Sequence, residues 1–223
     1  MKLIIFDCDG TLLDSQHGIV EAMSQAIAAA SLPPIPREKI LAIIGLSLPT
    51  AIAQLMPDTD EPTVQKITAD YRTAFQELRK DPGYHEPLYD GMLDLIHQLA
   101  AKDDHLLGVA TGKSRRGMNV LFDRLDLHAH FVTVQTADTH PSKPHPSMIE
   151  TALRHAGVEA KRAVMIGDTT YDMEMAQNAG VRAIGVSWGY HPARDLKRYG
   201  ADAIASDAAG LLLTIEQSLQ TDT

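Results

Sequence analysis

Near the start of the chain, the apolar run Leu3–Phe6 gives way abruptly to Asp7, Asp9, Gly10 and Thr11. Continuous hydrophobicity of this length predicts a strand covered on both faces, as in a parallel sheet. Beyond it, Ile19, Ala22, Met23, Ala26, Ile27 and Ala30 recur at helical spacing until Pro33 and Pro34 stop the helix. Further helices are expected over about 37–43, 48–56 and 60–80, with Pro36, Pro49 and Pro62 near their starts. No strand pattern occurs between Ser15 and Tyr84. From Tyr89 onward the pattern alternates: helix 91–101, strand 105–110, helix 114–124, strand 131–134, helix 146–156, strand 163–167, helix 171–179 and strand 182–186. A final helix over about 207–219 is expected to pack on the core, with Thr221–Thr223 fraying beyond it.

This βα rhythm implies an α/β fold, a mostly parallel sheet with right-handed crossovers and helices on its faces. The wholly helical interval reads as a layer inserted into that fold. The expected division is a core of residues 1–14 and 86–223 and an inserted helical domain of residues 15–85. A length of 223 residues with 44% apolar content suits one large domain or a core carrying a smaller one, and it argues against disorder.

Charge and cysteine content narrow the function classes. Twenty basic against 29 acidic residues give a net charge of -9, without a basic tract to follow a phosphate backbone, so nucleic acid is not an expected partner. One cysteine forms no intramolecular disulfide, and no secretory segment or apolar stretch of about twenty residues appears. A cytoplasmic protein without a membrane partner is the expectation.

The candidate chemistry lies at the ends of strands, where an open parallel sheet gathers its site. In an extended segment Asp7 and Asp9 face the same side and Cys8 faces away. Two carboxylates in one pocket ask for a cation or a shared proton, although a solvated turn is the alternative for an isolated pair. Strand 105–110 is followed by Thr111, Gly112, Lys113 and Ser114, and strand 163–167 by Asp168, Thr169, Thr170, Tyr171 and Asp172. Between them, prolines fix a loop bearing Lys143. Carboxylates to hold Mg²⁺, an oxygen to attack phosphorus, and a hydroxyl and an ammonium for the equatorial oxygens fit phosphoryl transfer. Neither a dinucleotide-binding nor a P-loop glycine pattern is present, and no histidine pair has further ligands at zinc-binding spacing. Trp188 and Tyr190 are expected to pack after the last strand rather than line the cleft, and Arg72, Arg79 and Lys80 to solvate a helix face rather than serve an anionic substrate.

Phe6-Asp7-Cys8-Asp9-Gly10-Thr11, Thr111, Lys143 and Gly167-Asp168-Thr169-Thr170-Tyr171-Asp172, in that order, resemble the four motifs of the haloacid-dehalogenase superfamily. The resemblance is to phosphoglycolate-phosphatase-like members with a helical cap. It implies a Rossmann-like core and Mg²⁺-dependent hydrolysis of a small phosphorylated metabolite through an aspartyl-phosphate. It implies Asp7 as nucleophile, Asp9 as general acid and base, and Thr111 and Lys143 as phosphate-binding residues; Gly112 beside Thr111 is a further phosphate-binding candidate through its backbone N–H, with simple turn geometry as the alternative. The metal would be held by Asp7, by Asp168 and by the backbone carbonyl of Asp9, with Asp172 in support. Gly45, Leu46 and Ser47 resemble the cap segment that faces the active site and selects substrate. Phosphoglycolate is a representative substrate; a sugar-phosphate phosphatase, a β-phosphoglucomutase-like phosphotransferase and a noncatalytic binding protein are the alternatives. The sequence sets no oligomeric state.

Overall fold

The computed structural model describes residues 1–220, so the fraying expected of Thr221–Thr223 lies outside the described residues. Six strands form one parallel sheet: β1 (Lys2–Phe6), β2 (His105–Thr111), β3 (Phe131–Thr136), β4 (Ala163–Gly167), β5 (Arg182–Val186) and β6 (Ala203–Ala205). Their order is β3-β2-β1-β4-β5-β6. β1 therefore lies between β2 and β4, with Ile4 opposite Leu107 on one side and Val164 on the other. The chain winds outward in one direction through β2 and β3 and in the other through β4, β5 and β6. The crevice at that reversal, beyond the ends of β1, β2 and β4, is where such sheets bind ligands.

Strand periodicity explains why β1 is apolar throughout. Ile4 and Phe6 pack against one face with α5 (Met92–Ala100), α6 (Arg115–Leu125) and α10 (Ala208–Gln220). Leu3 and Ile5 pack against the other with α7 (Ser147–Ala156), α8 (Thr170–Asn178) and α9 (Ala193–Arg198). Two-sided burial demands an apolar residue at every position, which removes the in-out alternation of a half-exposed strand.

The interval between β1 and α5 is helical: α1 (Gln16–Ala29), α2 (Arg37–Leu41), α3 (Leu48–Leu55) and α4 (Glu61–Leu78). These helices bury their own apolar cluster, including Met23, Ile27, Ile40, Ile52 and Ile67. The segments leaving and re-entering the sheet run side by side. Leu13 pairs antiparallel with Leu88, the Asp14 N–H donates to the Pro87 carbonyl, and the Tyr89 N–H donates to the Leu12 carbonyl.

Several boundaries differ from the sequence expectation for identifiable reasons. α2 stops at Leu41 because the chain then turns through residues 42–46, with Gly45 at φ +101°. β3 continues to Thr136 through the buried polar residues Gln135 and Thr136, which hydropathy alone does not mark as strand. α9 and β6 were not expected. α9 buries only Leu196, and β6 is a three-residue edge strand, too short for either periodicity to register. Among the described residues no helix is long and apolar enough to cross a membrane.

Ile67 is completely buried within the helical cluster. Ile67→Ala should cost about 2–5 kcal/mol, and the loss should fall first on the helical layer. Hydrogen exchange is expected to accelerate in α1 and α4 before β1 and β4. Equal acceleration in all four elements would show that the layer does not open independently.

Candidate active site

The ends of β1 and β4 bring Asp7 and Asp168 together with Asp172 from the first turn of α8, each offering a carboxylate oxygen within 4.8 Å of the others. Lys143 reaches this cluster from the loop before α7. Its ammonium donates to Asp172 Oδ1 at 2.6 Å and lies 2.9 Å from Asp7 Oδ1. Burial alone would lower the lysine's pKa, but the Asp172 and Asp7 charges outweigh it and hold the ammonium above its ordinary value.

The carboxylates are anchored unequally. Asp168 accepts from the Thr11 hydroxyl at Oδ1 and from the Tyr190 N–H at Oδ2, both at 2.9 Å. Asp172 accepts at Oδ2 from the Thr169 N–H and hydroxyl, and its own N–H returns a bond to the Thr169 hydroxyl, forming a reciprocal cap at the start of α8. Asp7 has no such support: neither of its oxygens makes a hydrogen bond, although Oδ1 is ion-paired with Lys143. Burial, opposed by Lys143 and reinforced by Asp172 and Asp9, pushes Asp7 up to about 7. Burial followed by the Asp172 and Asp7 charges also raises Asp168 well above the ordinary aspartate value. A buried cluster with excess negative charge and an oxygen free of donors fits a divalent cation.

Close backbone approach completes the cluster. Gly10 has φ +87°, and a Cβ there would lie 2.2 Å from Asp168 Oδ2. Only glycine permits both the turn after β1 and the Asp168 position.

Asp9 is held apart from the acidic cluster. Its Oδ1 accepts from the Ser15 hydroxyl and the Lys113 ammonium, both at 2.6 Å. Lys113 also lies 3.5 Å from Glu86 Oε1, while Glu86 Oε2 accepts from Arg79 Nε and Nη2 at 3.2 and 3.0 Å. An ion chain thus runs from Asp9 through Lys113 and Glu86 to Arg79, just beyond α4. Burial opposes the charge on Lys113, but Asp9 and other negative neighbours raise its pKa. The expectation that Arg79 merely solvates a helix face is corrected: its side chain is only 23% exposed and is committed to Glu86.

The remaining expected residues divide into two groups. Thr111 is buried and accepts from the Lys113 N–H, which leaves its own proton available for donation. Gly112 adjoins the helical layer, where an added Cβ would lie 2.7 Å from the Gly45 and Leu46 carbonyl oxygens. Gly45 and Leu46 line a cavity of about 80 Å³ together with Asp7, Asp9, Thr111 and Gly112. Ser47 does not line it. Its N–H donates to Ser142 and its hydroxyl to Thr50, so both donors are committed away from the carboxylates. Cys8 packs in the apolar core, where burial pushes its thiol up.

Sequence reading missed Lys113, Glu86, Ser15 and the anchoring part of Tyr190. Lys113 follows directly from its place two residues after the predicted strand-end Thr111, so its candidacy was visible. Glu86 had no comparable signal. Tyr190 does more than pack, since its N–H anchors Asp168 while its hydroxyl lies 3.2 Å from that of Ser15. Trp188 packs against Tyr89 and donates to the Thr11 carbonyl.

The haloacid dehalogenase-like hydrolase family model matches residues 4–186. A probable phosphatase, IndB, from Dickeya dadantii (strain 3937) is 38% identical over 201 residues, covering 87% of this chain and 85% of that protein. A phosphoglycolate phosphatase from Rhodospirillum rubrum is 31% identical over 221 residues, covering 94% and 89%. The crystal structure of a hydrolase from Pseudomonas syringae superposes with a TM-score of 0.86, covering 97% of this chain and 99% of that one at 23% identity, a likeness of fold.

The raised Asp7 pKa makes a signed stability prediction for metal-free protein. Folding favours protonated Asp7, so this contribution is fully present below the ordinary value of 3.8 and is lost as pH rises through about 7. In chelator, Asp7→Asn should therefore be more stable than the parental protein at pH about 8, with the advantage shrinking toward pH about 4. Urea unfolding across that interval is the measurement. A variant advantage that grows toward low pH would contradict the assigned cause.

Proposed function

The chain belongs to the haloacid dehalogenase-like hydrolase family, and on that premise we propose that it is a Mg²⁺-dependent phosphatase hydrolysing a small phosphomonoester through a phosphoaspartate at Asp7. The observation carrying this reading is the buried Asp7 carboxylate at the end of the central strand, short of hydrogen-bond donors and surrounded by Lys143, Asp168 and Asp172. A nucleophile without a hydration shell needs little reorganisation before attack.

In this mechanism an Asp7 oxygen attacks phosphorus in line, and the bond to the departing alkoxide breaks as Asp9 supplies its proton. Asp9 then takes a proton from the water that attacks phosphorus of the acyl-phosphate. Inorganic phosphate leaves and the Asp7 carboxylate is restored. Lys143, the Thr111 hydroxyl and the Gly112 N–H offset charge on the equatorial oxygens. Asp7, Asp168 and the Asp9 backbone carbonyl would hold Mg²⁺, with Asp172 in support through Lys143. When bound, the ion supplies positive charge to the transferring group.

We assign residues 15–85 the part of a cap and residues 1–14 with 86–223 that of the catalytic core. The separate apolar cluster of α1–α4 supports this division. Gly45 and Leu46 are the cap residues assigned to the phosphate-side cavity; the commitments of Ser47 argue against a leaving-group contact in this arrangement. Phosphoglycolate is the leading candidate, by similarity to the Rhodospirillum rubrum phosphatase. A small metabolite requires no nucleic-acid or membrane partner, and the lone buried cysteine suits a reducing cytoplasm.

Inorganic phosphate release across a panel of phosphomonoesters, with and without Mg²⁺, tests the reading. Asp7→Asn should abolish turnover, whereas Asp9→Asn should lower kcat by about 10²–10⁴-fold. No release from any ester in the presence of Mg²⁺ would remove the reading.

Because a proton and a cation compete for Asp7, Mg²⁺ affinity should rise as pH passes upward through about 7. Binding near neutrality should release protons. Calorimetry in buffers of different ionisation enthalpy measures both effects, and a pH-independent affinity without proton release would contradict Asp7 as a ligand.

A further inference from the structure

A second cavity, of about 170 Å³, adjoins the phosphate-side cavity and has Asp9 in its wall. Ile19, Leu48 and Tyr71 also line both spaces. The proposed chemistry orders them. The transferring phosphoryl group belongs beside Asp7 and Thr111, and Asp9 delivers its proton to the oxygen that departs. The remainder of the leaving group therefore extends past Asp9 into the larger cavity.

The charges around that cavity are not equally available. Arg79 is committed to Glu86, and Lys113 to Asp9 and Glu86. Asp138 accepts from the Arg115 N–H. Arg72 and Arg116 also line the space, one carried by α4 and the other by α6. Among the described residues neither guanidinium makes a hydrogen bond or ion pair. The cavity thus combines apolar wall, contributed by Ile19, Tyr71 and Phe75, with two uncommitted cations from opposite layers.

We propose that the leaving group carries a second anion, a carboxylate or another phosphoryl group, which docks between Arg72 and Arg116. This deepens, and rests on, the phosphatase reading. A short carbon linker lies against the apolar wall while the anion meets guanidiniums that can bind two oxygens in parallel. The volume favours a compact leaving group, since pockets for larger ligands span about 300–1,000 Å³. Because one arginine belongs to each layer, the anion also bridges the helical insert and the sheet domain. A neutral leaving group of equal size forfeits that bridge. Arg72 and Arg116 are therefore assigned as specificity-determining residues rather than catalytic ones.

The test compares 2-phosphoglycolate, ethylene glycol bisphosphate and the neutral 2-phosphoglycolamide as substrates in Mg²⁺. Parental protein is compared with Arg72→Gln, Arg116→Gln and the double variant. For the parental enzyme, kcat/KM should favour at least one anionic compound over the amide by roughly 30-fold or more, a preference that falls with added salt. The better anionic compound identifies carboxylate or phosphoryl as the recognised group. Each single substitution should reduce the anionic-to-amide ratio by about ten-fold, mainly through KM. Equal turnover of all three compounds by parental protein, or a ratio unchanged in the double variant, would overturn the anion site while leaving a phosphatase. No phosphate release from any of them or from a broad ester panel would overturn the phosphatase reading and this inference together.

Discussion

Three carboxylates and one ammonium share a space from which the fold excludes water, and the C-terminal edge of the sheet is organised around that imbalance. Burial penalises every charge that is not matched locally. Lys143 matches only part of the negative charge. The rest is distributed: Thr11 and the Tyr190 N–H steady Asp168, while Thr169 steadies Asp172 from the first turn of α8. Asp7 receives no donor beyond the lysine ion pair. The electrostatic deficit is consequently shared by Asp168 and by Asp7 at the end of the central strand, where it favours a proton or a cation, and of the two only Asp7 lacks hydrogen bonds to steady it.

Asp9 answers to a different environment. Its partners, Ser15 and Lys113, connect it to the start of α1 and to the loop after β2. Through Glu86 the same lysine is linked to Arg79, and the Glu86 carbonyl accepts from Arg124 on α6. The proposed proton-transfer group is therefore connected to both ends of the helical insert, whereas Asp7 is set by the sheet. Two carboxylates separated by one residue thus meet different partners because their neighbours come from different layers.

How much was legible follows the distance between cause and partner along the chain. The strand-end positions of Asp7, Thr111 and Asp168 were visible because each follows a local apolar run, and the parallel α/β architecture followed from the alternation of those runs with helices. The capping bond between Thr169 and Asp172 is also local. The Lys113 contact with Asp9 spans 104 residues, and no local period marks Glu86 as its third partner. The actual constraint on Gly112 was hidden for the same reason: it is set by the carbonyls of Gly45 and Leu46, which reach it from the helical layer. Sequence composition suggested a solvated role for Arg79, but only the fold reveals the carboxylate that turns it inward.

The two cavities sharing Asp9 give this separation a chemical meaning. On the smaller side, Asp7, Asp9, Thr111 and Gly112, the groups proposed to act on the phosphoryl group, come from strand ends and their following turns, while the helical layer contributes mainly apolar wall. On the larger side, α4 and α6 each contribute an uncommitted arginine. A change in packing between the layers would therefore disturb the larger side's charged pair without requiring the sheet to move its carboxylates. In the proposed mechanism, phosphoryl chemistry stays fixed to the parallel sheet while leaving-group recognition changes at the junction, with Asp9 as the carboxylate common to both. On that proposal the shared wall also limits the independence of the two functions, because an altered leaving group must still place its oxygen beside Asp9, the proposed proton donor.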